Sequence, residues 1–259
     1  MQDTPPPVLP PPSDGHIAYH DWRSTSSPLS LPYDLIIADP PYNIGIKYKD
    51  DPTGDALDPA SYFSMVENAM TYAHRNLVAG GTLAWICPSH HGPAVWALLL
   101  KLGFHLVNDC PVIWHERFAQ YQGNRGRLTP DYRLIFLAKV PGIPLDFLDN
   151  IREPSVRQQM GDKRADPRGR IPGMVWTIRR LQGTSTSRSG IGPTELPPEL
   201  LDRLILGFSR PGSRIGDLFA GTGSAWLAAI RNSRLFYGFD RSLSYIVDAQ
   251  SRAEALLNE

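Results

Sequence analysis

The chain has 259 residues, of which 42% are hydrophobic, and its formal net charge at pH 7 is zero. This length fits one large α/β domain with a small insertion, and the hydrophobic content is enough for a complete core. The longest apolar runs are much shorter than a membrane-spanning helix, so we expect a soluble, cytoplasmic protein without a membrane partner.

The cysteine and histidine content predicts no metal site. The two cysteines, Cys87 and Cys110, form no Cys-x-x-Cys pair, and the seven histidines form no His-Glu-x-x-His motif. Both cysteines lie in apolar, strand-like segments. We therefore expect both to be buried free thiols in a reducing compartment.

The charges are distributed unevenly along the chain. Residues 115–190 contain fourteen Lys or Arg against seven Asp or Glu, whereas the rest of the chain contains twelve against nineteen. Such segregation predicts a basic surface that faces a polyanion such as nucleic acid. A solvated, Arg-rich loop is the alternative interpretation.

Taken in order, the chain begins with a proline-rich segment, residues 1–15, without a basic start or an apolar core. This composition predicts a disordered, partly polyproline tail rather than a secretory signal. A short strand-like stretch and a loop lead to the first clear strand, residues 33–39. Asp58 and Pro59 then supply a helix cap and a proline at the first helical position. We predict that this helix continues through Leu77 and that Gly80-Gly81 ends it.

Strands and helices alternate up to about residue 103, which predicts a parallel α/β sheet. Further strands are predicted between residues 104 and 138. The periodicity is lost over residues 141–192, which are rich in arginine, glycine and proline, and a structureless stretch this long is usually functional or disordered. Regular structure returns in the last third, where the predicted elements are a helix from 198, a strand at 214–218, a helix at 224–230, a strand at 235–239 and a helix capped by Ser242.

A rigid turn, Asp39-Pro40-Pro41-Tyr42, follows the buried run Leu35-Ile36-Ile37-Ala38. A short β-branched run that ends at a carboxylate predicts a strand whose C-terminal end lies where ligands bind in open α/β sheets. Two prolines fix φ twice and remove two backbone donors, so the turn is rich in hydrogen-bond acceptors. It suits a planar ligand with an NH2 group, over which the loop at 47–53 could close. The alternative is an ordinary Pro-Pro turn with a surface tyrosine.

A second turn, Asp217-Leu218-Phe219-Ala220-Gly221-Thr222-Gly223-Ser224, connects a predicted strand to a helix. Its glycines allow close approach of a ligand, and Asp240, at the next strand end, can accept both hydroxyls of a ribose. The two features predict an adenosine-type cofactor site. Trp226 stands where a dinucleotide motif needs a third glycine, which disfavours NAD, and no phosphate-loop lysine is present.

Together, these two turns resemble those of the S-adenosylmethionine-dependent amino-group DNA methyltransferases. The Asp-Pro-Pro-Tyr turn lies upstream of Phe219-Ala220-Gly221-Thr222-Gly223, an order similar to the β group of that family. Residues 170–176 and 193–197 also resemble family segments, so the likeness covers most of residues 16–257. The resemblance implies a class I methyltransferase fold, which is Rossmann-like, doubly wound and mostly parallel.

The same resemblance implies a division of the chain. Residues 16–140 would form the catalytic half of the domain, and residues 193–259 its cofactor-binding half. Residues 141–192 would form a small, basic, irregular target-recognition insertion, in which we expect the arginines to contact mainly phosphates. The residues implied to bind S-adenosylmethionine are Asp21, Thr194, Asp217, Phe219, Ala220, Gly221, Gly223, Ser224 and Asp240.

The chemistry implied for the first turn is methylation of an exocyclic amino group. The Asp39 carboxylate and the Pro40 carbonyl would hold the amino hydrogens, while Pro41 stiffens the turn and Tyr42 stacks on the base. The base must be flipped out of duplex DNA to reach this pocket. In this family an Asp at the first position is associated mainly with adenine N6 and a Ser with cytosine N4, so we predict adenine N6, with cytosine N4 as the alternative.

Other interpretations remain open at this point. A homodimer and a restriction endonuclease partner are both compatible with the resemblance, as is a bacterial or a phage origin. Methylation of an RNA or protein amide nitrogen uses a similar turn that usually begins with Asn, which Asp39 does not match. A DNA-binding protein on an inactive methyltransferase scaffold would be expected to carry a broken turn, whereas both turns are intact.

Overall fold

A computed structural model describes residues 15–19 (backbone only), 32–48, 55–116, 128, 130–181 and 195–258. Most of the predicted N-terminal tail therefore lies outside the described residues. Gly15, which we assigned to the tail, instead begins the first strand, because residues 15–19 pair with a strand near the C-terminus.

Within these ranges, nine strands form one sheet in the order β1-β9-β8-β2-β3-β6-β5-β7, with the short β4 beside β6. The strands are Gly15–Tyr19 (β1), Tyr33–Ala38 (β2), Leu77–Pro88 (β3), His105–Leu106 (β4), Val112–His115 (β5), Tyr132–Lys139 (β6), Val175–Thr177 (β7), Arg214–Asp217 (β8) and Leu235–Asp240 (β9).

The strand directions determine where functional groups meet. Strands β1, β9, β8, β2 and β3 are parallel to one another, and β7 is parallel to β5. Strand β6 runs antiparallel to β3, β4 and β5. The C-terminal ends of β9, β8, β2, β3, β5 and β7 therefore lie at one edge of the sheet, where β6 begins. We call this edge the carboxyl edge.

Helices pack on both faces of the sheet, as the doubly wound prediction requires. On one face, α4 to α6 cover Leu35 and Ile37 of β2. On the other, α1 and α2 cover Ile36 and Ala38 of the same strand. Successive side chains of a strand point to opposite faces, so β2 contributes to both cores and is buried throughout most of its length. The α-helices are Pro59–Asn76 (α1), Gly92–Lys101 (α2), Val156–Gln159 (α3), Pro198–Phe208 (α4), Ser224–Arg231 (α5) and Leu243–Leu257 (α6).

The two predicted helix caps are confirmed. The Asp58 side chain accepts a hydrogen bond from the Ser61 backbone at the start of α1, and Ser242 accepts one from Tyr245 at the start of α6. In each case a side-chain oxygen satisfies a backbone N–H that has no partner within the helix. None of the helices in the described ranges combines the length and the hydropathy needed to cross a membrane.

The end of α1 differs from the prediction. The helix stops at Asn76, and Leu77 opens β3, which runs through Gly80 and Gly81. Backbone from the segment after β6 crosses at this point, and a Cβ on Gly80 would lie 1.7 Å from the carbonyl oxygen of Ile143. The glycine pair therefore permits a close backbone approach inside a strand instead of ending a helix.

The segment predicted as an irregular insertion, residues 141–192, is described as far as residue 181 and is partly built into the domain. Strand β7 extends the sheet, and Trp176 and Ile178 are buried in the core beside α4. The indole N–H of Trp114 donates to the Ile178 carbonyl oxygen at 2.8 Å. The remainder carries the short α3 and two-residue turns.

The environment of the cysteines corrects one expectation. Both are free thiols, and Cys87 is buried in β3 as predicted, but Cys110 is exposed. Cys110 follows a short 3-10 helix at Val107–Asp109, in which Asn108 has a positive φ of 59°. The chain therefore turns outward between β4 and β5 instead of continuing as a buried strand.

Truncation of one core leucine should destabilise the fold strongly. Leu204 is fully buried in α4, so Leu204→Ala is expected to reduce the free energy of unfolding by about 2–5 kcal/mol, because it removes apolar contacts and leaves a cavity. Leu100 on α2 is 55% exposed, and Leu100→Ala should cost less than about 1 kcal/mol. Urea unfolding of both variants measures the difference, and equal losses would contradict the assignment of the core.

Candidate active site

Three carboxylates meet at the carboxyl edge of neighbouring strands. Asp39 directly follows β2, Asp217 ends β8 and Asp240 ends β9, and β8 lies between the other two strands. The fold thus brings the two sequence motifs together although they are far apart along the chain. Burial is the main cause that raises the pKa of Asp217 to about 8; the charges of Asp39 and Asp240 contribute, and the hydrogen bond from the Phe219 N–H opposes them.

The glycine turn is held against this acidic edge by backbone hydrogen bonds. The Phe219 N–H donates to Asp217 Oδ1 at 2.9 Å, and the Gly221 N–H donates to Asp240 Oδ2 at 2.8 Å. The Ala220 N–H donates to the Phe239 carbonyl oxygen at 3.0 Å. Gly221 and Gly223 have φ angles of 51° and 78°, which explains why the turn needs glycine there.

The local packing fits an adenosine-type ligand. Asp240 Oδ2 accepts the Gly221 N–H and Oδ1 accepts the Ser242 N–H, which fixes the carboxylate. A Cβ on Gly238 would lie 2.9 Å from the Cβ of Ala220, so the absence of a side chain at Gly238 allows the glycine turn to pack closely against β9. Ser224 is the first residue of α5, whose N-terminus points to the same edge.

Trp226 has a structural role in place of a third glycine. Its ring is buried and stacks on Phe236 with an interplanar angle of 10° and a centroid distance of 6.1 Å. Helix α5 therefore packs on the sheet through a large aromatic ring. This packing differs from the close glycine contact of dinucleotide-binding folds.

The Asp39-Pro40-Pro41-Tyr42 turn is part of a buried polar network. The Tyr42 hydroxyl donates to Asp39 Oδ1 at 2.5 Å, and Arg133 Nη1 donates to the Tyr42 hydroxyl oxygen at 2.7 Å. Arg133 Nε in turn lies 2.6 Å from Glu116 Oε1. Tyr42 is only 9% exposed, which argues against an ordinary turn with a surface tyrosine.

The charge state of Asp39 reflects opposing effects. Burial raises the pKa of its carboxyl group, while the Arg133 charge and the hydrogen bond from Tyr42 lower it. The balance leaves the pKa above its ordinary value. A carboxyl group whose pKa is shifted by burial and by a specific charged partner is typical of functional sites.

The loop that follows the turn is anchored by Asp55 and Asn43. Buried Asp55 accepts backbone hydrogen bonds from Asn43, Ile44 and Ile46 at 2.6, 3.2 and 2.7 Å. The Asn43 side chain makes two hydrogen bonds to the backbone of Leu57. These contacts fix both ends of the loop that we predicted to cover the site, while residues 49–54 lie outside the described ranges.

His91 supports the turn from the other side. Its Nε2 lies 2.9 Å from the Tyr42 carbonyl oxygen, and because a carbonyl oxygen only accepts, Nε2 must carry the proton. The imidazole packs against Tyr62 and Phe63 of α1, at centroid distances of 4.9 and 5.6 Å. The backbone of the turn is thus held by a histidine side chain.

Tyr48 lies between the two halves of the site. Burial raises the pKa of its hydroxyl, and the charges of Asp55, Asp39 and Asp240 add to the effect. Tyr48 is therefore close both to the Asp39-Pro40-Pro41-Tyr42 turn and to Asp240 at the end of β9. Among the described residues, no group of three or more His, Cys, Asp or Glu side chains is arranged to hold a metal ion.

Several predicted and unpredicted residues can now be placed. The structure brings together all of the predicted site residues except Asp21 and Thr194, which lie outside the described ranges. Sequence reasoning did not identify Asp55, His91, Glu116 or Arg133. Each reaches the site from a different element, and none belongs to a local motif that would have indicated it.

Most arginines of the segment at 141–181 are paired locally. Arg164 contacts Asp162 and Arg168 contacts Asp166, both at 2.9 Å. Further pairs join Arg152 to Asp149 and Arg170 to Glu153. Neighbouring acidic side chains therefore engage these arginines, a point that the net charge along the sequence does not reveal.

Comparison with known proteins assigns the family. A model described as DNA methylase, for the N6 and N4 methyltransferases, matches residues 33–251. The chain therefore belongs to the N6/N4 DNA methylase family, which confirms the resemblance seen in the sequence.

Individual relatives support this assignment. Type II methyltransferase M.ScaI from Streptomyces caespitosus is 26% identical over 239 residues, which cover 86% of this chain and 75% of that protein. M.HpaI from Haemophilus parainfluenzae is 27% identical over 227 residues, which cover 87% of this chain and 69% of that protein. M.BglII from Bacillus subtilis is 25% identical, and the match spans 82% of this chain but only 61% of that protein.

Solved structures share the fold. The cytosine-N4-specific PvuII DNA methyltransferase matches with a TM-score of 0.67 and 15% identity, over 88% of this chain and 86% of that chain. M1.HpyAVI in complex with S-adenosylmethionine matches with a TM-score of 0.61 and 17% identity, over 86% of this chain and 89% of that chain. The class I methyltransferase fold predicted from the sequence is thus confirmed.

Replacement of Asp217 should change how stability depends on pH. The folded chain holds a proton on Asp217 up to about pH 8, whereas the unfolded chain releases it near the ordinary value of 3.8. Between these values the folded state binds more protons, so the free energy of unfolding falls as pH rises. In the Asp217→Asn variant, the free energy of unfolding should fall less as pH rises from 3.8 to about 8. Urea unfolding measured across this pH range tests the prediction.

Asp131, whose side chain is 55% exposed at the same edge, provides the matched control. The Asp131→Asn variant should keep the pH dependence of the wild type. If Asp217→Asn keeps it as well, the assignment of a neutral, buried carboxyl to Asp217 is wrong.

Proposed function

We propose that this chain transfers a methyl group from S-adenosylmethionine to the exocyclic N6 of adenine in duplex DNA. The observation that carries the proposal is the position of the Asp39-Pro40-Pro41-Tyr42 turn, one strand away from the glycine turn and two from Asp240. An acceptor for amino hydrogens thus lies beside a site that fits an adenosine ligand. Membership of the N6/N4 DNA methylase family supports the same reaction.

Asp39 and Pro40 would act on the amino group. Its lone pair is delocalised into the ring, which makes the group a poor nucleophile. Because Tyr42 occupies Asp39 Oδ1, we assign Oδ2 and the Pro40 carbonyl oxygen to the two amino hydrogens. Gripping both hydrogens localises the lone pair as attack begins, and this interaction strengthens in the transition state.

The cofactor would lie along the glycine turn. Asp240 would accept the ribose hydroxyls, while Gly221 and Gly223 allow the backbone to approach closely. S-adenosylmethionine supplies an activated methyl group on a positively charged sulfonium. The carboxylates of Asp39 and Asp240 make the edge acidic, which favours a cationic ligand.

The choice of base depends on the first residue of the turn. Asp39 favours adenine N6, according to the pattern that the family resemblance implies. Cytosine N4 is the second candidate, because the similar PvuII structure is described as cytosine-N4-specific. Both reactions use the same two hydrogen-bond acceptors, Asp39 and the Pro40 carbonyl oxygen. The choice between adenine and cytosine therefore depends on the shape of the pocket around the base.

DNA would approach the carboxyl edge. The base must be flipped out to reach Asp39 and Tyr42, which lie at that edge. Arg179 and Arg180 follow β7 and lie at the same edge. The ion-paired arginines at 152–170 precede β7, and we expect them to contribute less to phosphate binding than the sequence alone suggested.

The relatives are named as Type II methyltransferases, which supports a role in restriction–modification within bacteria. A cognate restriction endonuclease and a homodimeric assembly stay predictions. Size-exclusion chromatography with light scattering measures the oligomeric state directly.

A labelling experiment tests the reaction. The protein is incubated with methyl-labelled S-adenosylmethionine and mixed-sequence duplex DNA, which is then digested and separated into nucleosides. We expect the label in N6-methyladenine. Label in N4-methylcytosine would support the second candidate, and absence of label from every base would overturn the proposal.

Two substitutions should separate chemistry from cofactor binding. Asp39→Ala removes the acceptor for the amino group, so kcat should fall by at least about 100-fold while S-adenosylmethionine still binds. Asp240→Ala removes the ribose acceptor, so cofactor binding should weaken by about 10- to 100-fold. Calorimetric titration with the cofactor and single-turnover methylation measure the two effects. Loss of cofactor binding in Asp39→Ala would show that its assigned role is wrong.

A further inference from the structure

Arg133 reaches the catalytic turn from β6, a strand that carries neither motif. It is the second residue of β6, paired with Pro88 of β3 on one side and Trp114 of β5 on the other. Its guanidinium carbon lies 4.9 Å from the ring centroid of Tyr42 and 5.3 Å from that of Trp114. The side chain is 18% exposed, so two aromatic rings largely enclose a permanent positive charge.

Arg133 connects Glu116 to the catalytic carboxylate through one ion pair and two hydrogen bonds. Glu116 contacts Nε, and Nη1 donates to the Tyr42 hydroxyl oxygen, whose proton is donated to Asp39. Glu116 is itself fixed, because its side chain is 6% exposed and its backbone N–H donates to the Asp131 carbonyl oxygen. A donor on the phenol oxygen polarises the O–H bond, so each contact strengthens the next.

We propose that Arg133 is a positioning residue for methyl transfer: anchored by Glu116, it fixes the Tyr42 hydroxyl on Asp39 and places a positive charge beside the catalytic carboxylate. This inference rests on the proposed function. It assigns a role to a residue outside both turns, and it explains why Tyr42 carries a hydroxyl where a plain aromatic ring would suffice for stacking.

The geometry gives Arg133 two effects on Asp39. First, Tyr42 holds Oδ1, which orients the carboxylate and directs Oδ2 to the amino group. Second, the Arg133 charge opposes the effect of burial on the pKa of Asp39, so the carboxylate remains an acceptor at lower pH. A protonated Asp39 would carry a donor toward the amino group and could not grip both hydrogens.

Other groups near Asp39 also influence its protonation. Glu116 opposes Arg133 and raises the pKa of Asp39, but the Arg133 charge is the larger effect. Within the described ranges, the titratable and charged groups that face Asp39 are Tyr42 on its own turn, Tyr48 on the following loop, Tyr62 on α1, Cys87 on β3, Glu116 after β5, Arg133 on β6 and Asp217 on β8. Arg133 is the cation of this set.

A pair of variants tests the role. Arg133→Met keeps the length of the side chain but removes charge and donors, whereas Arg133→Lys keeps the charge. We expect kcat for DNA methylation to fall by about 100-fold in Arg133→Met, with cofactor affinity unchanged, because the reacting groups lose their alignment. The acidic limb of the kcat–pH profile should move to higher pH. Arg133→Lys should restore part of the rate and move the limb back toward that of the wild type.

Two further variants keep the test decisive. Arg133→Met leaves the Glu116 charge unpaired, so if it unfolds, the double variant Glu116→Gln/Arg133→Met replaces it. The acidic limb should then move in the same direction but less far, because Glu116 no longer raises the pKa of Asp39. Arg210, exposed in the turn between α4 and β8 at the opposite edge of the sheet, is the matched control. Arg210→Met should keep the wild-type rate and profile.

The outcomes separate this inference from the proposed function. A folded Arg133→Met variant that keeps the wild-type kcat and the wild-type acidic limb of the kcat–pH profile overturns the role of Arg133. A loss of rate with no shift of the acidic limb, and with no recovery in Arg133→Lys, overturns it as well. If the wild type itself transfers no label, the proposed function fails, and the inference is then judged by carbon-13 NMR titration of the Asp39 carboxyl. If the Asp39 carboxyl titrates at higher pH in Arg133→Met than in the wild type, the inference is supported. If its titration is unchanged, the inference is overturned.

Discussion

The structure depends on one constraint, the common direction of β9, β8 and β2, which places three strand ends and their carboxylates side by side. Burying like charges at adjacent positions is unfavourable unless they are neutralised or compensated. The protein meets this cost in different ways. Asp217 is protonated near neutral pH, Asp240 accepts two backbone N–H groups, and Asp39 receives the Tyr42 hydroxyl backed by Arg133. A cationic ligand at this edge would relieve the remaining repulsion.

The Asp39-Pro40-Pro41-Tyr42 turn is rigid for reasons that extend beyond its two prolines. His91 holds the carbonyl oxygen of Tyr42, Asp55 holds the backbone that leaves the turn, and Arg133 holds the tyrosine hydroxyl. These three supports come from the end of β3, from the far end of the following loop and from the start of β6. Precise placement of acceptors around an amino group requires such support, because small displacements weaken directional hydrogen bonds and slow the reaction.

Local sequence patterns predicted much of the fold. The buried run of β2, the caps of α1 and α6 and the glycine turn at 221–223 all depend on neighbours in the chain, so their chemistry is visible in the sequence. The errors arose where distant segments decide. Leu77 continues the helical periodicity but pairs with Tyr33 in the sheet, Gly80 and Gly81 admit a crossing backbone, and Cys110 turns outward after a 3-10 helix. The local ion pairs of Arg164 and Arg168 likewise changed the expected distribution of charge.

The sequence by itself determined the two motifs, their order along the chain and the class of fold, because a strand that ends in a carboxylate and a strand-to-helix glycine turn are short-range features. It did not determine what surrounds Asp39. Glu116 and Arg133 become neighbours only when β5 and β6 pair, and Arg133 reaches Tyr42 only because β6 lies beside β3. Sequence separation hides such contacts, since their energy depends on burial and geometry that only the assembled sheet provides.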